Sequence, residues 1–413
     1  MIKSEKIFLK KLINKYTKEE AFEKKYPLTS NPFETQDIIK AAETLLSGRI
    51  TMSSITKKFE KEFAKFIGAK HALMVNSGSS ANLLAFFALT NPENKQRIKP
   101  NDECIIPAIC WSTSLWPIVQ AGLKPKFVDV DPKNFNLNLN ILEKNITKKT
   151  KAILAVHILG NSTNMKKLMD LVRKKNLTLI EDSCESLGSM YKNKYLGTFG
   201  KYGTYSFYVS HQITSGEGGM IVCNNTKDYR IIHALRAHGW DRGLLKKNKN
   251  DFNFINSGFN LRPLDLTAAI GMSQFKRLNL MKKIRNENRN KIVNALVNSS
   301  DWKNQYTFFN PIEGLKPSWF GLPLLINRKY SKNKKKFLKY LDNNNIETRP
   351  IISGNFLNQP CIKLYNLNGD KKSFKYAQEI EDRGFFIGLH TYRLEKNNLE
   401  YLINKLLKVS DFF

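Results

Sequence analysis

The sequence predicts an α/β protein: a large domain on a seven-stranded, mostly parallel sheet, followed by a smaller C-terminal α+β domain. Two patterns carry this prediction. Between Ala72 and Cys223 lie seven short β-rich runs, ALMV (72–75), ECII (103–106), KFVDV (126–130), AILAVH (152–157), TLIED (178–182), YGTYSFY (202–208) and MIVC (220–223). Most are apolar almost without interruption, as strands covered on both faces are, and segments of helical period such as ANLLAFFAL (81–89) and MKKLMDLVRKK (165–175) separate several of them. Alternation of strand and helix implies crossover connections, hence parallel strands with helices on both sides. The second pattern is a change of texture. A long helical stretch runs from Pro263 through Gln274 and Met281 to Ala295, and beyond it FGLPLLI, KKFLKYLDNNNIETRPI and NLEYLINKLLK alternate on a shorter scale. The division that follows is an N-terminal extension at 1–25, a large domain at 26–285 and a small domain at 286–413, the second boundary lying within about 280–305.

At 413 residues the chain has the length of two domains of roughly 150–200 residues each. With 41% hydrophobic and 25% charged residues it can bury full cores, which argues against disorder. Its longest apolar runs, such as ILAV before His157, fall far short of the ~20 residues a membrane helix needs, and Met1–Glu20 is Lys-rich without an apolar signal core. The expectation is a cytoplasmic protein that does not touch the membrane. Five cysteines (Cys104, Cys110, Cys184, Cys223, Cys361), nowhere spaced as C-x-x-C, indicate neither a disulfide framework nor a metal cage. Charge is less ordinary: 67 Lys+Arg against 36 Asp+Glu gives +31, which attracts polyanions. Yet the excess is mostly dispersed Lys, as in KNKKK (332–336) and LKKNKN (245–250), without aromatics interleaved on a basic face. Solvated faces account for it better than a nucleic-acid surface, and no nucleic acid is expected. An anionic small substrate, such as a nucleotide sugar, would also benefit.

The chemistry is concentrated at strand ends. ALMV runs into NSGSSANLL, where a Gly- and Ser-rich turn opens a helix; free backbone N–H groups, the positive helix end and hydroxyls converge there, which suits a phosphate. A helix cap by Asn76, Ser77 or Ser79 explains the same residues. ECII leads to PAICWST and puts Trp111 just past a strand's carboxyl end, where ligands collect in α/β sheets. An exposed ring there stacks on a flat cofactor; a buried one is core. TLIED ends in Glu181-Asp182-Ser183-Cys184-Glu185, and Asp182 is a partner for a protonated ring nitrogen or else a cap or loop carboxylate.

The fourth piece, GTYSFYVSHQITSGEGGMIVC (203–223), is a strand, a polar turn, a glycine-rich break and another strand. Phosphate turn, ring, acid and this segment follow the order of pyridoxal-phosphate (PLP) enzymes. The chain resembles the fold-type-I sugar aminotransferases of the DegT/DnrJ/EryC1/StrS family, whose signature is a Ser-Phe segment, a lysine, then Gly-Glu-Gly-Gly. The resemblance extends through YPLTSNPF (26–33), RAHGWDRG (236–243), GFNLRPLDLTAAIGMSQFKRL (258–278) and TRPIISGNF (348–356). It implies an aspartate aminotransferase-like large domain. In this sequence the lysine position holds His211.

That departure changes the expected reaction. The family's lysine bonds the cofactor's aldehyde as a Schiff base and shuttles protons, whereas imidazole cannot form the bond but, with an ordinary pKa of ~6.5, can still move protons. Within the family, histidine here marks the 4-keto-6-deoxy-sugar 3-dehydratases. One kind acts on a GDP-sugar and uses L-glutamate to aminate its cofactor; another acts on a CDP-sugar with an iron–sulfur cluster on four cysteines. Only Cys223 and Cys361 lie beyond His211, so no cluster is expected. The resemblance thus implies a lyase that removes the C3 hydroxyl of GDP-4-keto-6-deoxymannose, with non-covalent PLP and pyridoxamine phosphate, in deoxysugar and surface-polysaccharide biosynthesis. His211 is its catalytic group. Gly78, Ser79, Ser80 and Ser206 would hold the phosphate, Trp111 the ring face, Asp182 the ring nitrogen, and Glu185, one helical turn beyond Asp182, the ring hydroxyl. Asn260 would reach the phosphate in a neighbouring subunit, making a homodimer with shared active sites. His238 belongs beside the sugar, or is a solvated loop histidine; Arg236, Arg242, Lys246 and Arg349 are candidates for the diphosphate. The alternatives are a nucleotide-sugar aminotransferase that recruits another lysine, a CDP-sugar 3-dehydratase lacking its cluster, and a catalytically dead basic binding protein.

Overall fold

The structure is a computed structural model that describes residues 2–19, 24–29, 32–242, 244, 252–367 and 373–412. Lys246 and the segment around it lie outside the described residues. Seven strands form the main sheet: β1 (His71–Val75), β2 (Glu103–Pro107), β3 (Lys124–Val128), β4 (Thr150–Val156), β5 (Thr178–Asp182), β6 (Tyr202–Ser206) and β7 (Gly219–Cys223). Their spatial order is β1-β7-β6-β5-β4-β2-β3, and β7 alone in this sheet runs antiparallel to its neighbours. β1 and β6 are both antiparallel to β7, so they run the same way, and the carboxyl ends of six strands share one edge.

Apolar continuity explains these strands. β6 and β7 are buried at every position, as is β4 from Ala152 to Val156. The covering helices read as stripes: in Met165–Lys174, Met165, Leu168, Leu171 and Val172 are buried, while Asn164 caps the first turn by accepting from the Lys167 N–H. Helix Gly78–Thr90 is buried almost all round because it packs on β6 and β7 and against helices Ser112–Gln120 and Thr226–Arg236. The KFVDV run ends earlier than its composition suggests, at Val128. Asp129 leaves the ladder because its carboxylate accepts from the backbone of Tyr376 and Ala377, at the start of helix Lys375–Arg383.

Four antiparallel strands, β8 (Tyr306–Phe308), β9 (Gly321–Ile326), β10 (Thr348–Arg349) and β11 (Gly384–Gly388), form a second sheet in the order β8-β9-β11-β10. Helix Leu278–Val297 crosses residue 285 without a break. Its first turns place Leu278 and Met281 in a core with Phe59 and Phe63; its last place Ile292 and Leu296 in the core of the second sheet. The helix is shared by the two units. Tyr26 likewise packs in the second core, its hydroxyl donating to the Gly388 carbonyl at 3.0 Å. Residues Lys3–Glu19 form a helix, and among the described residues no helix is long and apolar enough to cross a membrane.

Candidate active site

The turn after β1 is shaped by its side chains before any ligand is considered. Ser77 accepts from the Ser80 N–H at 3.1 Å, and Ser80 Oγ donates to Asn76 Oδ1 at 2.6 Å. This caps helix Gly78–Thr90 and engages the Ser80 hydroxyl inside the turn, while the first N–H groups of the helix retain no intrahelical acceptor. A Cβ on Gly78 would lie 2.6 Å from Ser206 Cβ and 3.0 Å from Cys184 Sγ, so only glycine lets the turn press against the end of β6. Ser206 Oγ, accepting from the Tyr208 N–H at 3.3 Å, therefore stands beside the helix start. Ser79 Oγ donates to Thr113 Oγ1 at 3.0 Å and ties the turn to the residues after Trp111.

Trp111 is 58% exposed, an uncommon position for the largest apolar side chain. It precedes helix Ser112–Gln120 at the end of β2, where its ring is available as a face. Asp182, at the end of β5, is buried, and its Oδ2 accepts from Asn82 Nδ2 and Ser114 Oγ, both at 2.8 Å. The Asn82 amide is itself oriented, because its Oδ1 accepts from Thr204 Oγ1 at 2.6 Å. Asn82 and Ser114 belong to this site although the sequence analysis did not single them out; the one available signal was an amide inside the otherwise apolar helix ANLLAFFAL.

Glu185 lies in a turn closed by the Ser186 N–H on the Ser183 carbonyl at 3.0 Å, followed by a second turn closed by the Ser189 N–H on the Ser186 carbonyl at 2.9 Å, and not in the helical turn expected from its spacing. The serines favour these local turns over a helix. Burial, reinforced by the neighbouring Asp182 charge and opposed by the Leu159 N–H donating to Oε2 at 3.0 Å, pushes the Glu185 carboxyl up to about 8. At neutral pH it is predominantly the acid, able to donate a hydrogen bond.

His211 lies in the turn between β6 and β7, half-buried as a residue, with Nδ1 fully enclosed and unpartnered. Its ring meets Phe320 edge to face at 5.1 Å between centroids and Tyr208 at 6.1 Å. Burial, then the positive charge of Arg285, pulls its pKa down to about 3, so the imidazole is neutral across the physiological range. Arg285 Nη2 donates to the His211 carbonyl at 3.3 Å, and Gln212 Nε2 donates to the carbonyls of Glu185 and Ser318. These contacts join the His211 turn to Glu185 and to the SWFG segment. Lys201, the lysine upstream on the same strand segment, sits at the other end of β6 and pairs with Asp228 at 3.0 Å.

The structure therefore brings Gly78, Ser79, Ser80, Ser206, Trp111, Asp182, Glu185 and His211 to one edge of the sheet. It does not bring the remaining candidates there. Asn260, Arg236 and Arg242 line a separate cleft of ≈ 1300 Å³, the larger of the two cavities described here, whose basic rim includes Lys57, Lys61 and Arg262. Asn260 is exposed, its Oδ1 accepting from Arg262 Nε at 3.0 Å, but the next residue's carbonyl accepts from the Asn76 N–H at 3.1 Å, so the cleft abuts the phosphate turn. Arg236 is buried, with Nη1 2.6 Å from Glu60 Oε1 and 2.8 Å from the Met74 carbonyl. Those bonds hold helix Thr226–Arg236 to β1 and remove Arg236 from the diphosphate candidates. His238 is an exposed loop residue at φ 62°, and Arg349 pairs with Glu347 at 2.8 Å.

The residues at the sheet edge fit a pyridoxal phosphate: an exposed aromatic face, a buried carboxylate fixed by neutral donors, and a glycine cradle at a helix N-terminus beside a serine. The comparisons with known proteins agree with this fit. The chain is 36% identical over 389 residues, 91% of its length and 98% of the relative's, to the GDP-4-keto-6-deoxy-D-mannose 3-dehydratase of Escherichia coli O55:H7. A solved structure of the E. coli enzyme with bound hydrated PLP matches with a TM-score of 0.86 at 36% identity, covering 92% of this chain and 99% of that one. A structure of GDP-4-keto-6-deoxymannose-3-dehydratase with a trapped PLP–glutamate geminal diamine matches with a TM-score of 0.85 at 35% identity over 92% of this chain and all of that one. The family model for DegT/DnrJ/EryC1/StrS aminotransferases covers residues 32–407, and the chain belongs to that family.

Proposed function

We propose that this protein is a PLP- and pyridoxamine phosphate-dependent lyase that removes the C3 hydroxyl of a nucleotide-linked 4-keto-6-deoxyhexose, with L-glutamate as amino donor. The single observation that carries the reading is His211, a half-buried, neutral imidazole where aminotransferases of the family have a lysine. GDP-4-keto-6-deoxymannose is the substrate assigned, and the product feeds deoxysugar and surface-polysaccharide synthesis in the cytoplasm. No iron–sulfur cluster takes part.

When bound, the cofactor supplies an electron-accepting ring and, in its amine form, the nitrogen that engages the sugar's C4 ketone. The N–H groups at Gly78 and Ser79 and the Ser206 hydroxyl hold its phosphate; Trp111 covers one face of its ring. Asp182, its carboxylate oriented by Asn82 and Ser114, fixes the ring nitrogen as a donor. Glu185, in its neutral acid form, donates to the ring oxygen. His211 Nε2 takes a proton as base, and the imidazolium so formed gives it to the departing C3 oxygen, which leaves as water. Burial and then the nearby Arg285 disfavour the charged ring, which favours passing the proton on and opposes taking it up. Because His211 cannot bond covalently to the cofactor, this position would supply no amine onto which the cofactor could be exchanged.

The assembly in this reading is a homodimer in which Asn260 of one subunit reaches the phosphate of the other. Its support is the open basic cleft beside the phosphate turn, with Asn260 exposed on it. Incubation with glutamate, PLP and GDP-4-keto-6-deoxymannose, followed by mass spectrometry, tests the function. A sugar that has lost the C3 oxygen and carries no nitrogen is expected; a sugar that retains nitrogen makes the protein an aminotransferase.

A further inference from the structure

The plane of the His211 imidazole is not set by the side chain itself, because rotation about a histidine's Cβ–ring bond is broad and the surroundings decide where it rests. Two aromatic rings meet this imidazole nearly at right angles: Phe320 at 5.1 Å between centroids and 81°, Tyr208 at 6.1 Å and 86°. Edge-to-face contact at such distances is a favoured aromatic geometry. The two rings differ in support. Tyr208 is 46% exposed, whereas Phe320 is buried and has Phe386 of β11 against it, edge to face at 5.9 Å.

The SWFG segment (318–321) that carries Phe320 is fastened residue by residue. The Ser318 N–H donates to Ser189 Oγ at 2.8 Å, and the Ser318 carbonyl accepts from Gln212 Nε2 at 3.2 Å. Trp319 is buried in the core of the second sheet, with the Arg289 guanidinium 4.8 Å from its ring. Phe320 instead joins the core of the large domain, and its N–H donates to the Leu159 carbonyl at 3.2 Å. The turn that offers this carbonyl continues into Gly160 at φ 93°, where a Cβ would lie 2.3 Å from the Ser318 carbonyl oxygen, so only glycine lets the turn close on the segment. The Leu159 N–H of the same turn donates to Glu185 Oε2.

We propose that Phe320 is a positioning residue for His211: its fastened ring fixes the plane of the imidazole, and through it the small domain takes part in the site at the sheet edge. A reacting group misplaced by about 1 Å can lose about 10²-fold in rate, so the wall behind an imidazole matters even though it touches no substrate. That the oriented ring moves a proton rests on the dehydratase reading; the contact and the fixed plane do not.

Carbon–proton spectra of PLP-loaded protein with ¹³C-labelled histidine test it, since the chain has only six histidines and His211→Asn identifies the ring Cε1–H signal. Phe320→Leu keeps apolar bulk but removes the flat edge. It should move and broaden the His211 signal, through lost ring current and a ring no longer held in one plane, and lower kcat by about tenfold with KM for GDP-4-keto-6-deoxymannose unchanged. Phe320→Tyr, which keeps the ring, should restore most of both. Phe385→Leu measures what core loss alone does, because Phe385 is buried in the second core against Phe337 and Tyr306; it should lower the melting temperature while leaving the His211 signal and kcat as they were. A His211 signal that Phe320→Leu leaves in place, or an equal loss of kcat in Phe385→Leu, overturns the inference. The expected signals in a protein that performs no dehydration support the contact and overturn the functional reading instead.

Discussion

The edge of the sheet around Asp182 and the basic cleft around Asn260 adjoin each other and are built on opposite principles. At the edge several polar groups are held by others in the same chain: Asp182 by Asn82 and Ser114, Glu185 by Leu159, the His211 turn by Arg285. In the cleft, exposed cations face open space, and the one tightly buried ion pair, Arg236 with Glu60, fastens β1 to its helix. The difference teaches that charge density does not locate chemistry. The edge fixes a few atoms for reaction; the cleft presents side chains to something beyond the chain.

The largest expected effect belongs to the edge. His211→Asn should lower dehydration by about 10²–10⁴-fold in a steady-state assay, the range for loss of a general acid–base, while the cofactor still binds. His211→Lys should suppress dehydration and create a covalent link to the cofactor, visible in the absorbance spectrum. If instead the cleft carried the chemistry, neither change would matter.

Within the cleft, Arg236 and Arg242 should separate sharply. Arg236→Met leaves Glu60 buried without its cation and should cost about 3–5 kcal/mol in denaturant unfolding. Arg242, exposed and lying over the Trp240 ring, should change stability by less than about 0.5 kcal/mol on conversion to Ala.

Acid should sharpen the comparison next, because buried neutral histidines occur in both regions. Burial holds His211 at about 3 and, assisted by Arg236, His233 at about 4, both below the ordinary 6.5. Between those values the unfolded chain binds protons that the folded chain does not, so these contributions are whole above pH 6.5 and lost as pH falls through the folded values. Glu185 has the opposite sign: its folded value near 8 adds stability below about 4.5 that fades as pH rises toward 8. Calorimetric melting temperatures should therefore fall from pH 6.5 downward, and Glu185→Gln should flatten the alkaline side. A local effect is expected for Asn260→Ala, about tenfold weaker cofactor retention by dialysis, the worth of one hydrogen bond to a charged group.

Most of the fold was legible because burial on both faces writes strands as apolar runs, and all seven runs became strands of one sheet. The shared helix Leu278–Val297 was less so: a boundary is sought where composition changes, whereas this helix changes its packing partner midway without changing its period. Trp111 and Asp182 could be singled out because strand ends collect ligands, and His211 because the family resemblance sets it at the lysine position. Asn82 and Ser114 were not, since each acts through a contact with a residue distant in the chain, and no spacing encodes that. Arg236 was misassigned for the complementary reason; a cation in a loop-like motif looks solvent-facing until its buried partner Glu60, far upstream, is seen.

The central claim is that an imidazole works here beside a cofactor it does not hold. The most direct measurement is intact-mass analysis of the cofactor-loaded protein after borohydride treatment and denaturation. The account predicts the mass of the bare chain, with all cofactor recovered in the small-molecule fraction. A chain heavier by one reduced cofactor would contradict it.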